Sequence, residues 1–432
     1  MSYNLFETFY LSRAGRYTTP ENTNDRLPII YGDMTDGNTG NWSAPCIDTT
    51  PGAEVFCFAS HETLSVANGN SIAVYDDDVL VNPANYTFNH SHNFESEGII
   101  SSITFSSSPT SNSNITVTGK GKPTSPGSNV LMENIVDILI DYLVNETDSG
   151  VTDGDIDSTY KAVTKNKFID ADYTAAGAIV EDNVIWETLT LMMSSFNGGV
   201  LINNNNKIVF RMKTSSSLEL YGEVVDIIDK GDMSFISANI RYENILNRIP
   251  IRYSYNYAKK DFNSITDTIA ASDTASINIY GTRKPSEAFP LYWCRNINDA
   301  VNIQSLLVNR QNTQSKVWEI YIKDNTLKRV HLNAGDYVVA SIDELYDSEG
   351  MALSNAILEI IDINYDFNKG VLEFRCLDTG FYKTLCWKAD GTVQADGSRK
   401  ACGDRDYVPR YLQYSDGSAY EFPDGSLYEL PS

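Results

Sequence analysis

The stretch from Asp182 to Met212 constrains the fold of this chain more than any other. Ile185, Leu189, Met192 and Phe196 recur at i, i+4, i+7 and i+11, one stripe of a 3.6-residue helix. Asn197-Gly198-Gly199 then predicts the helix end, since glycine takes the left-handed conformation without steric penalty. Val200-Leu201-Ile202, a polar turn from Asn203 to Asn206, and Lys207 to Met212 read as strand, turn and strand. A helix packed on such a hairpin is a small α/β module. Long β-rich segments flank it on both sides, so it reads as an insertion between two sheet systems.

Upstream, Val55–Phe58, Ser71–Tyr75, Ala84–Phe88, Gly98–Phe105 and Asn114–Thr118 are short apolar runs divided by Gly, Asn, Asp and Pro turns. That rhythm predicts an antiparallel sandwich or barrel. A Gly/Pro/Ser/Lys linker, Gly119 to Gly127, marks its end. A second helix is predicted from Asn129 to about Asn145, with Ser128 as N-cap and Leu131, Ile135, Ile138, Leu139 and Tyr142 as its buried stripe. It should pack with the 182–196 helix over the hairpin.

Downstream, residues 233–377 return to β structure. Ile249, Ile251, Tyr253, Tyr255 and Tyr257 alternate with Arg248, Arg252, Ser254 and Asn256. Pro250 removes a ladder donor, which puts this strand at an edge or delays its pairing. Ile277 and Ile279 suggest a further strand ending at Gly281. A helix follows over Ile297–Arg310, then strands over Val317–Lys323 and Tyr337–Ile342, then a long hairpin, Ile357–Phe367 with Val371–Cys376. Residues 1–52 mix glycine-rich polar runs with short apolar pieces and suggest an extended arm packed along a neighbour. Near the C-terminus an octapeptide recurs, Asp416–Pro423 and Asp424–Pro431, with a tyrosine in each copy. Two copies are too few for a solenoid and suit docking on a sheet.

Composition excludes some function classes. The formal net charge of −24 opposes a phosphate-gripping surface, because nucleic-acid binders gather Lys and Arg on one face. It fits either plain solubility or an acidic lumen that a passing polyanion must not stick to. Met1 to Tyr17 lacks an apolar core of the secretion-signal kind, and no run approaches the ~18 apolar residues of a membrane span. A soluble protein folded in a cytoplasm is the expectation.

Catalytic and metal signatures are sparse. The sequence holds no Walker loop, no dinucleotide-binding glycine motif, no nucleophile elbow and no His-Glu-x-x-His. His90 and His92 could share a strand face, but no acidic or cysteine ligand stands beside them. Asp153, Asp155 and Asp157 open like a calcium loop, yet Ser158 replaces the glycine and Thr164 the bidentate glutamate. Asp76-Asp77-Asp78 reads as a turn. Glu133, Asp137 and Asp141 lie four apart along the predicted helix, the usual pattern of a solvated face. Cys376, Cys386 and Cys402, with Cys294 upstream, could hold an iron–sulfur cluster or zinc, although their loose spacing equally fits plain core residues. A local pair such as Cys46 with Cys57 is a further possibility.

Four stretches resemble the central hub proteins of tailed-bacteriophage tails: Arg26–Asp33, Asn197–Leu201, Ile279–Arg283 and Ala334–Val339. The resemblance spans roughly residues 50–380 and lies as much in element order as in motif. It implies an α+β, predominantly β fold: two tube-like antiparallel β domains separated by an α/β helix–helix–hairpin insertion, with an extended N-terminal arm and a C-terminal tail. The corresponding divisions are 1–52, 53–125, 126–230, 231–385 and 386–432. The resemblance further implies a non-enzymatic homotrimer at the tail tip or baseplate, assembled in the host cytoplasm. Its partners would be the tail tube or distal tail ring protein, the fibre or spike, and the tape-measure protein. DNA would cross its bore without specific binding. Some hubs of non-contractile tails hold an iron–sulfur cluster through C-terminal cysteines. The competing readings are a carbohydrate-binding or carbohydrate-cleaving adhesin and a sixfold distal tail ring protein.

Overall fold

The computed structural model describes residues 27–37, 39–48, 54–94, 98–107, 109, 114–181, 184–203, 205–213, 224–229, 232–241, 245–267, 274–312, 315–323, 329, 332–346, 352–366, 369–382, 385–387 and 393–395. Residues 1–26 and the octapeptide repeat lie outside them.

After β1 (Ile29–Tyr31), which pairs with Gly177–Ile179, nine strands build the first β unit: β2 (Asp33–Met34), β3 (Trp42–Ser43), β4 (Cys46–Asp48), β5 (Val55–Ala59), β6 (Ala73–Asp76), β7 (Val79–Leu80), β8 (Tyr86–Phe94), β9 (Gly98–Phe105) and β10 (Ile115–Lys120). One sheet runs β2-β10-β6-β7 with β3 also on β10, and the other runs β4-β5-β9-β8. Met34, Trp42, Phe56, Phe58, Val74, Ile103 and Val117 fill one core cluster contributed by both sheets. Trp42 meets Phe58 edge-on at 5.0 Å and donates its indole N–H to the Phe58 carbonyl. Residues 27–48 were expected in an arm. They are instead built into the folded chain: Ile30, Met34 and Trp42 are buried in this unit's core, while Ile29 and Tyr31 are buried in a second cluster with Ile135, Leu139 and Phe196. Asp77 and Asp78 both have positive φ, the signature of a tight hairpin turn between β6 and β7. Cys46 pairs with Phe56 across the ladder, so Cys57 projects from the opposite face. That register is the wrong one for a Cys46–Cys57 disulfide, and neither forms one.

The central module holds α1 (Ile135–Asp141), α2 (Ser158–Asp170), β11 (Gly177–Ile179), α3 (Ile185–Ser194), β12 (Gly198–Ile202) and β13 (Ile208–Met212). Gly198 pairs with Met212 and Ile202 with Ile208, closing the expected hairpin. α3 packs on both hairpin strands, α2 lies on β13, and α1 touches α2 and α3. Three expectations shift here. The chain turns at Asn197, which itself takes φ 55°, and Gly198 already belongs to β12. α1 starts at Ile135 rather than Asn129 because Asn134, not Ser128, accepts the Val136 N–H as N-cap. α2 has no clear apolar stripe. Asp157, read as a calcium-loop position, is its N-cap.

Next come β14 (Val224–Asp229), β15 (Met233–Arg241), β16 (Ile251–Asn256), β17 (Asp261–Thr266), α4 (Thr274–Tyr280), β18 (Phe289–Pro290) and α5 (Ile297–Gln311). The three-stranded sheet β17-β16-β18 and α5 share one core with the central module: Ile251, Leu291, Trp293 and Ile303 bury beside Phe196 and Phe210. Much of 231–385 thus belongs to the centre of the molecule. Pairing of β16 starts immediately after Pro250, as its missing donor requires, but the strand is central in its sheet. The Ile277/Ile279 segment is helical. Gly281 at φ +71° donates back to the Ile277 carbonyl and closes α4.

The last large sheet adds β19 (Ser315–Lys323), β20 (Tyr337–Tyr346), β21 (Ala352–Asp366) and β22 (Val371–Tyr382), in the order β14-β20-β21-β22-β19-β15. Only residues 230–232 join β14 to β15, the two edges. Four Cα steps reach at most about 15 Å, whereas five strand spacings in an unrolled sheet would put the edges about 24 Å apart. The sheet must therefore roll into an incomplete barrel. Its interior alternates as period two demands: Trp318, Ile320 and Ile322 on β19; Ala356, Leu358 and Ile360 on β21; Leu372, Phe374 and Cys376 on β22. Arg329 pairs with Asp226 of β14 and with Asp232, just before β15, clasping the two edges where they meet. A short ladder, β23 (Leu385–Trp387) with β24 (Val393–Ala395), completes the described chain.

Candidate functional site

Among the described residues, two places concentrate the chemistry. The first is the joint between the central module and the barrel. Arg211 interrupts an apolar run on β13, and Glu359 interrupts one on β21; both are nearly fully buried. Arg211 reaches Asp336, which begins the approach to β20, at 2.7 Å. Asp336 also accepts from the Tyr160 hydroxyl at 2.9 Å and the Asn333 N–H at 2.7 Å. The Arg211 guanidinium lies 5.0 Å from the Tyr160 ring and 5.5 Å from the Tyr337 ring, so aromatic faces cover the cation. Gly335, at φ +89°, admits this approach: a Cβ there would stand 3.3 Å from the Arg211 Nη1.

Glu359 accepts from Lys213 at 2.9 Å and from Arg310, at the end of α5. Burial alone would raise its carboxyl, but Lys213 and Arg310 outweigh that and hold it below the usual range. Burial and the charge of Asp336 push the Tyr160 hydroxyl up to about 12, and burial with the Glu359 charge does the same to Tyr337. Every buried charge named here has a partner, so the joint reads as a positioning device rather than a reactive centre. Two of the four hub-like stretches, Asn197–Leu201 and Ala334–Val339, flank this joint.

A comparable lock ties the first β unit to the module. Lys122 donates to Asp141 and to Glu146, each at 2.6 Å, and the Tyr31 hydroxyl donates to Asp141 at 2.7 Å. Asp137 pairs with Lys165. The carboxylates expected on a solvated helix face are therefore largely structural.

The second place is a cavity of about 200 Å³ lined by Ile179, Val180, Leu191, Tyr255, Tyr257 and Tyr292, with Trp293 behind them. Tyr255 sits 4.9 Å from Tyr292 and 5.0 Å from Tyr257, both edge-on. Lys260 and Glu181 form a 2.5 Å ion pair at its mouth, both well exposed. Gly177 keeps the wall thin: a Cβ there would lie 2.6 Å from the Tyr257 hydroxyl and 2.7 Å from the Trp293 ring.

The candidate metal ligands are not gathered at either place. Cys294 lies in the central core and Cys376 inside the barrel, both fully buried as free thiols. Burial pushes both thiols well above their ordinary value. Cys386 falls in β23, and Cys402 lies outside the described residues. Among the described residues no cluster of three His, Cys, Asp or Glu side chains has metal-binding geometry. His92 shares a hydrogen bond with Ser102 at 2.7 Å. None of the described helices is long and apolar enough to cross a membrane. The pairing of Arg211 with Asp336 escaped the sequence, since 125 residues separate them. The only legible signal was a lone charge inside an apolar strand run.

No protein-family model matches the chain, and no curated protein matches it in sequence. Among solved structures, the tail protein from Neisseria meningitidis MC58 is similar at 10% identity and TM-score 0.31, covering 73% of this chain and 98% of that one. The 43 kDa tail protein of prophage MuSo2 from Shewanella oneidensis is similar at 10% identity and TM-score 0.32, covering 82% and 99%. At these scores the overlap is too loose to transfer a fold or a role.

Proposed function

We propose that this chain is a structural protein of a bacteriophage tail: a hub at the tail tip or baseplate, three copies around a channel. It would connect the tail tube or distal ring protein above to a fibre or spike below. The carrying observation is that two β units are seated on one shared α/β core through buried charge locks, Arg211–Asp336 on one side and Lys122–Asp141–Glu146 on the other. A junction piece must hold its two β units in fixed relation under load, and locks of this kind penalise any change of angle by stranding buried charge. The four hub-like stretches support the same reading. The net charge of −24, tripled in a trimer, suits a bore that releases DNA.

Mass photometry of the purified chain tests this. A trimer, three times 48.1 kDa, that forms rings in negative-stain images supports the hub. A hexameric ring points instead to the distal tail protein, and a monomer at micromolar concentration overturns both.

The aromatic cavity is the observation that favours the carbohydrate reading. A cleaving role would need two carboxylates, in most families about 5–10 Å apart, and the cavity offers only Glu181, already paired with Lys260. Glycan binding by the purified monomer would favour an adhesin.

A further inference from the structure

We propose that His61 is a proton-sensitive latch on β1, the strand that seams the first β unit to the central module, and that its protonation frees that seam. β1 belongs to both sides. Ile30 enters the first unit's core, whereas Ile29 and Tyr31 enter the central one. Along one edge β1 pairs with β11, Ile29 against Ile179 and Tyr31 against Gly177. Along the other it is held by the first unit. The Ser60 N–H donates to the Pro28 carbonyl, the Lys122 N–H to the Ile30 carbonyl and the Gly121 N–H to the Gly32 carbonyl. The Ile30 N–H is the exception on this edge. It donates at 2.9 Å to His61 Nε2, so an imidazole stands where a sheet would supply a backbone carbonyl.

That geometry fixes the ring's protonation state. Nδ1 stands 2.8 Å from the Glu62 carbonyl, which can only accept, so Nδ1 carries the proton and Nε2 keeps the lone pair. A second proton would have to enter at Nε2, setting one N–H against another where His61 is only 2% exposed. The buried Ile30 donor would then lose its acceptor. Tyr31 of β1 stacks on the imidazole at 6.2 Å. From β9 the Ser101 hydroxyl donates to the His61 carbonyl, and from β8 His90 offers its carbonyl to the Thr63 N–H. The Glu62 carboxylate accepts from the Gly127 N–H. Lys122 lies 6.0 Å from the Tyr31 ring and holds both Asp141 and Glu146 at 2.6 Å, and Asp141 also accepts from the Tyr31 hydroxyl. Those carboxylates are thus taken up by donors other than the imidazole. In an unfolded chain histidine takes up its proton near pH 6.5, about two units above a carboxylate. An open seam therefore binds a proton that the closed seam excludes. By linkage, closure weakens as pH falls below about 6.5, by up to about tenfold per unit. This inference does not require the hub assignment.

The full-length chain would be followed by hydrogen exchange at a series of pH values, corrected for the intrinsic pH dependence of exchange. The opening equilibrium of the peptide containing β1 should rise at least roughly fivefold between about pH 6.5 and 5, while β20 and β21 of the barrel stay unchanged. His61→Gln keeps an acceptor oxygen near the Nε2 position and cannot take up a proton, so β1 should stay closed with no such rise. Comparing the two chains also cancels Glu133 and Asp299, whose carboxyls are raised by burial and act in the opposite sense. If His61→Gln melts early, the unaltered chain with nitrogen-15-labelled histidine decides alone. One of its four imidazoles, assigned by substituting His90, His92 and His331 in turn, should show the neutral Nδ1–H pattern while β1 is closed. A β1 opening that is flat with pH, a rise that survives in His61→Gln, or a His61 ring carrying Nε2–H in the closed state each overturns the proposal.

Discussion

Replacing Asp336 by alanine should release the barrel from the central module. The Asp336 side chain is 3% exposed and that of Arg211 10%, so neither charge has water to fall back on. Alanine leaves the Arg211 guanidinium between two aromatic rings without its carboxylate. Breaking a buried ion pair from one side costs about 3–5 kcal/mol. The Tyr160 hydroxyl and the Asn333 N–H lose an acceptor as well, each nominally about 1–3 kcal/mol. These losses share one network and do not add, so about 3–5 kcal/mol is the expected total. At about 1.4 kcal/mol per factor of ten, the equilibrium between joined and parted states moves by roughly two to three and a half orders of magnitude. Hydrogen exchange by mass spectrometry reads this directly: peptides covering β13, the start of α2 and β20 should exchange faster while first-unit strands such as β5 and β9 do not. Urea unfolding followed by tryptophan emission should split into two transitions. The double variant Arg211→Met/Asp336→Leu should regain most of the loss, because packed apolar groups replace a buried pair at little cost. If Asp336→Ala costs under about 1 kcal/mol, or the two single losses simply add in the double variant, the joint is not coupled as argued.

Acid should act through Asp141 and Glu359. Burial opposes both ionised carboxyls, but Lys122 and Tyr31 at one, and Lys213 and Arg310 at the other, hold them below the ordinary range. Their contribution is complete above the unfolded values, about 3.9 for Asp and 4.3 for Glu, and fades as pH falls through the lower folded values. Glu133 and Asp299 are raised by burial and act in the opposite sense, gaining stability as pH falls. Asp141→Asn should therefore flatten the acid limb of a melting-temperature profile, and an unchanged limb would refute its role. Gly121→Ala should destabilise strongly, since a Cβ would lie 2.3 Å from the Ile30 carbonyl oxygen, whereas Gly69→Ala meets no atom and suffers only the strain of its φ of +84°. Circular-dichroism melts would rank them, and equal losses would contradict the packing described. In a chain with Cys386 and Cys402 replaced by serine, Cys46 should be the first thiol to react with a disulfide reagent. Cys57, Cys294 and Cys376 are buried and should wait for unfolding.

Local order was written in the chain. The stripe from Ile185 to Phe196, the hairpin after it, the α5 helix and the long β21–β22 hairpin follow from periodicities of 3.6 and two, which need no distant partner. What periodicity could not assign was membership. Residues 27–48 look polar and broken along the sequence, yet Trp42 and Ile30 are core residues because β10 and β11 offer them ladders from more than 70 residues away. Ile277 and Ile279 alternate like a strand, but seven residues are too few for the pattern to decide, and Gly281 closes a helix instead. The Arg211–Asp336 lock and the rolling of the last sheet rest on contacts between remote segments. Such contacts carry no local pattern, and their free energy exists only once the intervening chain has folded, so the tertiary structure alone decided them.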